Sequence, residues 1–383
     1  MEAKPLKIPY SRQCIDEEDI DAVTAVLRSD WLTTGPAVAS FEKAFAEFVG
    51  CREAVALQSG TAALHAAMYC LGAGPGTEVI VPAMTFAATA NSVAFLGGIP
   101  VFADVDPRTL LVDPDSVRRC LSPRTRALAA VDYAGQPCDY QELRRIADAA
   151  GIALVDDASH SLGGACRGRP VGTLADLNTF SFHPVKLITT GEGGMVTTEN
   201  LPWAQKMRRF RNHNMSADFR QREEDRQWLY QIEELGYNYR LTDFQCALGI
   251  SQLKKAGGWV KRRQLLAALY DRALEGSGIE PLQTRPEVSH ARHLYVVLLP
   301  PSPPAPSREE VFRRMRTAGI GVNVHYLPVH LHPYYQKNFG CRPGLCPVAE
   351  AAYERMISLP LYPRMEEETV QEVIGALRAA LEP

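Results

Sequence analysis

The chain has 383 residues, of which 46% are hydrophobic and 22% charged, and its formal net charge is −3. That length exceeds one ordinary core and implies two or three structural units; the scattered charge excludes the clustered basic face of a nucleic-acid binder, and no apolar run is long enough to span a membrane. The N-terminal MEAKPLKIPY lacks the apolar stretch of a signal peptide, and nine scattered cysteines without a Cys-x-x-Cys pair point to reduced thiols in a cytoplasmic protein.

Asp16 reads as an N-cap, with Glu17, Glu18 and Asp19 in the first turn and Ile20, Val23 and Leu27 on one face of the helix. From Cys51 the pattern alternates. Ala54–Leu57, Val79–Val81, Pro100–Ala103, Ala127–Val131 and Ile152–Val155 are short apolar runs that read as buried strands. Ala62–Cys70, Ala87–Leu96, Pro114–Leu121 and Tyr140–Ala149 read as the helices between them. Strand and helix in alternation predict an α/β unit with a mostly parallel central sheet covered on both faces.

Asn178–Phe182 and Met195–Thr198 add two strands, after which Leu241–Leu253 and Val260–Leu274 read as long helices. The remainder is α+β: a strand near Leu294–Leu299, a helix near Ser307–Ala318, a short strand near Gly321–Val324, then helices to the end. The pattern divides into an N-terminal segment with a large domain (1–255) and a smaller C-terminal α+β domain (256–383). The run PPSPPAP (Pro300–Pro306) reads as a loop, and Arg222–Arg226 as a solvated one.

Three features carry chemistry. SGTAAL (Ser59–Leu64) joins a strand to a helix, so backbone N–H groups at the helix start are offered to an anion. VDDASHSLG (Val155–Gly163) places two aspartates at a strand end, where an open α/β sheet binds its ligand. SFHPVKLITTGEGG (Ser181–Gly194) carries one lysine, Lys186, in the loop after another strand. Each alone has an ordinary structural explanation, as an N-cap, a helix cap or a solvated loop lysine. Their order matters more: an anion turn, a strand-end acid and a loop lysine are the parts a PLP enzyme needs for the phosphate, the pyridine nitrogen and the covalent attachment.

With WLTTGP (Trp31–Pro36), PAMTFAATANSV (Pro82–Val93), GYNYRLTDFQCALG (Gly236–Gly249) and VHYLPVH (Val324–His330), these stretches make the chain resemble the sugar aminotransferases of the fold-type-I, aspartate-aminotransferase-like PLP enzymes, from about Lys7 to the C-terminus. The resemblance implies that Lys186 holds PLP and moves the proton, that Asp157 partners the pyridine nitrogen and that Asp156 is structural. It puts His160 at the cofactor ring or its 3′-oxygen and Phe86 on the ring face. Gly60, Thr61 and Ser181 match phosphate ligands, and Asn238 matches a residue that reaches the phosphate from a neighbouring subunit, which implies a homodimer with shared active sites.

Tyr10, Trp31, Leu32, Thr33, His325 and Tyr326 match positions lining the sugar-nucleotide site, and His183 either touches the sugar or shapes its loop. The pair His330 and His332 lacks a third ligand at sensible spacing, so no metal is expected. A near relative with histidine in place of the lysine is a dehydratase, so Lys186 argues for transamination. Local details, IPYSRQCID and VDYAG among them, look most like the UDP-4-amino-4,6-dideoxy-N-acetyl-β-L-altrosamine transaminases of pseudaminic acid biosynthesis. The resemblance therefore implies L-glutamate as donor and a UDP-linked 4-keto-6-deoxy-N-acetyl hexose of the L-arabino configuration as acceptor. The runner-up acceptors are its D-xylo epimer and a GDP-linked 4-keto-6-deoxymannose. One departure is MSADFRQREEDRQWLYQIEE (Met215–Glu234), longer than in many relatives and placed just before Asn238.

Overall fold

The computed structural model describes residues 6–217 and 226–382. Within the stretch read as a solvated loop, residues 222–225 lie outside the described residues, and so does part of the long insertion. Helix α1 (Glu17–Leu27) starts as expected: Asp16 accepts from the Asp19 N–H, and Asp19 returns the bond to the Asp16 N–H. Its buried face differs from the expected one. Ile20 and Leu27 are 48% and 57% exposed, whereas Asp19 is fully buried. The reason is electrostatic: Asp19 accepts from Gln252 Nε2 at 2.6 Å and pairs with Lys255 Nζ at 3.1 Å, so the helix turns its acid inward.

Helix α2 (Pro36–Val49) leads into β1 (Glu53–Leu57) and α3 (Gly60–Cys70). Then follow β2 (Glu78–Pro82), α4 (Ala88–Ala94), β3 (Ile99–Ala103), α5 (Pro114–Cys120), β4 (Thr125–Val131), α6 (Tyr140–Ala150) and β5 (Ala153–Asp157). The short strands β6 (Ala165–Cys166) and β7 (Arg169–Pro170) precede β8 (Leu177–Ser181), β9 (Gly194–Thr198) and α7 (Leu201–Phe210). Seven strands form one sheet in the order β1-β9-β8-β5-β4-β2-β3. All of its pairings are parallel except those of β9, which runs against both neighbours. Its strands are buried almost throughout, as the apolar runs require when helices cover both faces. The turns after β1, β2, β4, β5 and β8 therefore emerge along one edge, where open α/β sheets bind ligands.

The two long helices expected from the pattern are one helix, α8 (Asp243–Leu274), of 32 residues. Gly257 and Gly258 interrupt the sequence pattern but not the helix; both are exposed, with open space where a side chain would project. Ahead of this pair, α8 buries Cys246, Leu253 and Ala256 in the core of the large sheet. Beyond it, Leu266, Ala267, Tyr270 and Leu274 enter a second apolar cluster. That cluster also holds Ile8, β12 (Tyr295–Leu298), β13 (Met356–Leu359), α9 (Arg308–Thr317) and α12 (Glu367–Leu381).

Beside β12 lie β10 (Glu280–Pro281) and β13, giving a three-stranded antiparallel sheet; β11 (Val288–Ser289) pairs with β6 instead. Helices α10 (Pro333–Phe339) and α11 (Pro347–Arg355) precede β13, a strand the sequence reading missed inside an expected helical run. Conversely, 321–324 forms no strand. Ile320 just before it bridges to Ile8 and Asn323 within it bridges to Ser358, so this stretch is shared between two partners rather than laid along one.

Candidate active site

The strand-end turn after β1 is a helix N-terminus. Ser59 is the N-cap of α3 and accepts from the Ala62 N–H at 3.1 Å, so the ordinary capping explanation holds for Ser59. Gly60 and Thr61, the first two helical residues, keep N–H groups for another acceptor. A Cβ on Gly60 would lie 2.8 Å from Ser181 Cβ, and one on Gly194 would lie 2.3 Å from the Ser59 carbonyl. Only glycine allows β1, β8 and β9 to converge this closely, and the convergence brings Ser181 to the anion turn.

Both aspartates lie within β5 rather than after it. Asp157 is buried; Thr89 Oγ1 donates to its Oδ2 at 2.7 Å and Ser159 Oγ to its Oδ1 at 2.6 Å. A carboxylate has about four acceptor positions, so Asp157 keeps capacity for a further donor. Thr89 went unnoticed in the sequence, although a hydroxyl at the start of the small-residue helix AATANSV is the signal for it. Asp156 points to the other face and is wholly buried, with the Tyr140 hydroxyl close to it. Burial and the neighbouring Asp132 push its carboxyl well above the usual range.

Lys186 follows β8 in a loop tied by Thr189 Oγ1 donating to the Phe182 carbonyl at 2.9 Å and by the Lys186 N–H donating to the His183 carbonyl at 2.8 Å. From the N-terminal segment, Ser11 Oγ donates to the Val185 carbonyl at 3.3 Å. Burial pulls the Lys186 ammonium down to about 8, with the nearby Asp157 carboxylate opposing. His183 is exposed at the loop start.

Facing this loop is the 324–326 segment. The Tyr326 hydroxyl and His160 Nε2 share a hydrogen bond at 3.2 Å, and the Phe86 ring lies 5.8 Å from that of Tyr326. Phe86 is 59% exposed and so is not a core aromatic. His325 is tied into its own chain through its ring and its carbonyl. Its Nδ1 bonds Ser358 Oγ at 2.8 Å, its Nε2 meets Asn323 Nδ2 at 3.2 Å, and its carbonyl accepts from Tyr133. With both ring nitrogens engaged, it fixes the backbone that presents Tyr326. Tyr10 packs its ring 5.6 Å from that of His325. Burial, with Lys186 nearby, depresses both His160 and His325, the latter to about 4.

The remaining predicted residues lie elsewhere in the chain. Trp31, Leu32 and Thr33 form an exposed turn held to the start of α8: the Asp243 N–H donates to the Leu32 carbonyl at 3.0 Å, and Asp243 Oδ2 accepts from the Gly35 N–H at 2.7 Å. Thr33 and Gly35 line a cleft of about 870 Å³ with Arg208, Arg209, Arg211 and Arg240. Asn238 is exposed and bridges to Asn212. A second cleft of about 910 Å³, lined by Arg144, Arg167 and Trp203 among others, includes no predicted residue. His330 is buried and bonds Glu350 at 2.8 Å, which accounts for it without a metal.

An amine that sheds its proton near neutrality, a buried carboxylate with spare acceptor capacity and free N–H groups at a helix start fit PLP: Lys186 would attach it, Asp157 would hold its ring nitrogen protonated, and Gly60, Thr61 and Ser181 would receive its phosphate. This fold is that of the PLP-dependent aminotransferases. The chain belongs to the DegT/DnrJ/EryC1/StrS aminotransferase family, which it matches over residues 13–378. It is 40% identical over 374 residues to the spore coat polysaccharide biosynthesis protein SpsC of Bacillus subtilis, covering 97% of this chain and 96% of that one. Among solved structures it is similar to a putative sugar aminotransferase, Spr1654 from Streptococcus pneumoniae, in its PMP form (TM-score 0.91, 32% identity, 98% and 99% of the two chains). It is also similar to Helicobacter pylori PseC, an aminotransferase involved in the biosynthesis of pseudoaminic acid (TM-score 0.90, 32% identity, 98% and 99%). Spr1654 has been solved in both PLP and PMP forms, and the cofactor of this family is PLP.

Proposed function

We propose that this sugar aminotransferase moves the amino group of L-glutamate to C4 of a UDP-linked 4-keto-6-deoxy sugar, UDP-2-acetamido-2,6-dideoxy-β-L-arabino-hex-4-ulose. The observation that carries the transfer is Lys186, with its ammonium drawn down to about 8, beside Asp157 at one sheet edge. The choice of sugar is supported by IPYSRQCID and VDYAG and by the likeness to PseC.

Bound PLP supplies a protonated ring that stabilises negative charge on the carbon bearing the nitrogen. The chain's own residues do the rest. Lys186 Nζ, uncharged in a fair fraction of molecules, takes the proton from Cα of the donor and delivers one to C4 of the acceptor. Asp157 keeps its charge oriented through Thr89 and Ser159. Tyr326 and His160 form a polar wall opposite Phe86. Tyr10 and the Trp31–Thr33 turn would meet the sugar nucleotide.

We further propose a homodimer in which each site is shared. The exposure of Asn238 and of the Trp31–Thr33 turn supports this, since both present surface that a neighbouring chain could cover. The nine free cysteines support a reducing, cytoplasmic setting. We divide the chain at residue 255, just before the Gly257–Gly258 pair, with Ile8 reaching back into the second core.

The test is a panel of three keto sugars with L-glutamate: the L-arabino and D-xylo UDP sugars and GDP-4-keto-6-deoxymannose. Formation of 2-oxoglutarate is followed and the product identified by NMR. Preferred turnover of the L-arabino sugar is expected. Preference for either of the others overturns the acceptor assigned here and leaves sugar transamination standing.

A further inference from the structure

His160 sits three residues past Asp157, and its Nε2 is committed to the Tyr326 hydroxyl. Its Nδ1 is buried and has no hydrogen-bond partner. A histidine near reacting groups is ordinarily oriented by a bond at its second nitrogen, so something else must hold this ring. The group behind it is His293, also buried, with ring centroids 4.5 Å apart and planes at 42°. His293 Nδ1 likewise has no partner, so the two rings meet through packing and not through a hydrogen bond.

The backbone around His293 is unusually well anchored. The Ala291 N–H donates to the Gly135 carbonyl at 2.9 Å, and the Leu294 N–H to the Ala134 carbonyl at 3.1 Å. Gly135 is wedged against both histidines: a Cβ there would lie 2.7 Å from the His160 carbonyl oxygen and 2.9 Å from the His293 nitrogen. From α8, Arg263 Nη1 reaches the His293 carbonyl at 3.2 Å and the Leu361 carbonyl at 2.8 Å. Arg263 is 1% exposed and has no carboxylate partner among the described residues. Burying a guanidinium on carbonyl dipoles alone is costly, and burial brings it down to about 10. The cost is borne at a place where one side chain fastens α8, the 291–294 segment and the chain after β13 together.

We propose that His293, clamped by Arg263, is a positioning residue that fixes the ring of His160 for its hydrogen bond with Tyr326. The proposal rests on the reading that His160 faces the reacting groups. A ring free to rotate would leave Tyr326 without its partner and blur one wall of the site, and displacements of about 1 Å near reacting groups can cost ~100-fold in rate.

The test compares His293→Phe, which keeps a ring of similar size, with His293→Ala, which removes it. Steady-state kinetics are run on the PLP-loaded enzyme, and the His160 ring is followed by NMR in the apoenzyme. The expected result is a kcat lower by ~10- to 100-fold in His293→Ala, with KM for both substrates nearly unchanged, and recovery to within a few-fold in His293→Phe. The His160 ring signals should be sharp and of one tautomer in the wild type and His293→Phe, and broadened or mixed in His293→Ala. The NMR readout needs no turnover, so it stands even where the assigned reaction fails. Unchanged His160 signals in a folded His293→Ala chain overturn the proposal, as does an equal loss of kcat in both variants.

Discussion

Thr89 Oγ1 donates to Asp157 Oδ2 across 2.7 Å, linking the helix after β2 to the last residue of β5. The bond fixes one carboxylate oxygen, and Ser159 fixes the other. Asp157→Asn should therefore leave PLP bound but its ring poorly protonated. A group used mainly in the transition state affects kcat more than KM, so kcat should fall by orders of magnitude with little change in KM. Asp156→Asn is expected to behave differently. Burial and Asp132 push its carboxyl well above the usual range, so a neutral amide is a closer stand-in for it than for Asp157. Steady-state kinetics on the two variants decide, and a larger kcat loss in Asp156→Asn would reverse the assignment of the two acids.

Lys186 should govern how fast the apoenzyme takes up PLP. Only the uncharged amine attacks the aldehyde, and the Lys186 ammonium is drawn down to about 8 by burial. A depressed lysine is protonated below its folded value and uncharged above it, so the uptake rate should climb with pH and reach half its plateau near 8. An unshifted lysine would place that midpoint near ~10.4. Lys186→Ala should show no covalent uptake and no turnover while keeping its fold by circular dichroism. Normal turnover in that variant would remove the basis of the assignment.

Gly60→Ala probes the anion turn. The new methyl would sit 2.8 Å from Ser181 Cβ, so β8 or the start of α3 must move. The N–H groups that should receive the phosphate would then be misaligned. PLP affinity measured by fluorescence titration should drop at least ~10-fold. The fold should persist, since a crowded core position typically costs ~1–3 kcal/mol. Undiminished affinity would show that the phosphate sits elsewhere.

Asn238 is exposed, and its amide should act on a neighbouring chain. Asn238→Ala should weaken PLP binding, and mixing it with Lys186→Ala should restore part of the activity. A hybrid dimer would hold one site with both residues intact. Mass spectrometry can establish that subunits exchange. No recovery in an exchanging mixture would mean that Asn238 serves its own chain.

The alternation of Ala54–Leu57 through Ile152–Val155 with intervening helices made the large sheet legible, because doubly covered strands must be continuously apolar. Lys186, Asp157 and the Ser59–Thr61 turn stood out as candidates because they lie at or just past strand ends, where a parallel sheet gathers its loops. Less local features stayed hidden. β13 carries MISL directly after a helical stretch, and only its pairing with β12 makes it a strand. The inward turn of Asp19 depends on Gln252 and Lys255, more than 230 residues away in the chain. The bonds of His325 to Ser358 and Asn323 were not legible either, because its motif says nothing of those two residues. His293 gave no signal, since a histidine between Arg292 and Leu294 in a strand approach is unremarkable until His160 is seen against it.

Helix α8 is a rod of 32 residues, roughly 48 Å long at about 1.5 Å per residue, that grips the Trp31–Gly35 turn at one end through Asp243 and enters the second core at the other. Its stiffness is lowest at Gly257–Gly258, where no side chain braces the backbone. Bending of the rod should therefore be easiest at that turn. Alanine at both positions meets no atom within 4 Å and removes about 1 kcal/mol of helix cost apiece. Such a chain should melt at a higher temperature and carry a push on its second core straight through to the turn that Asp243 holds.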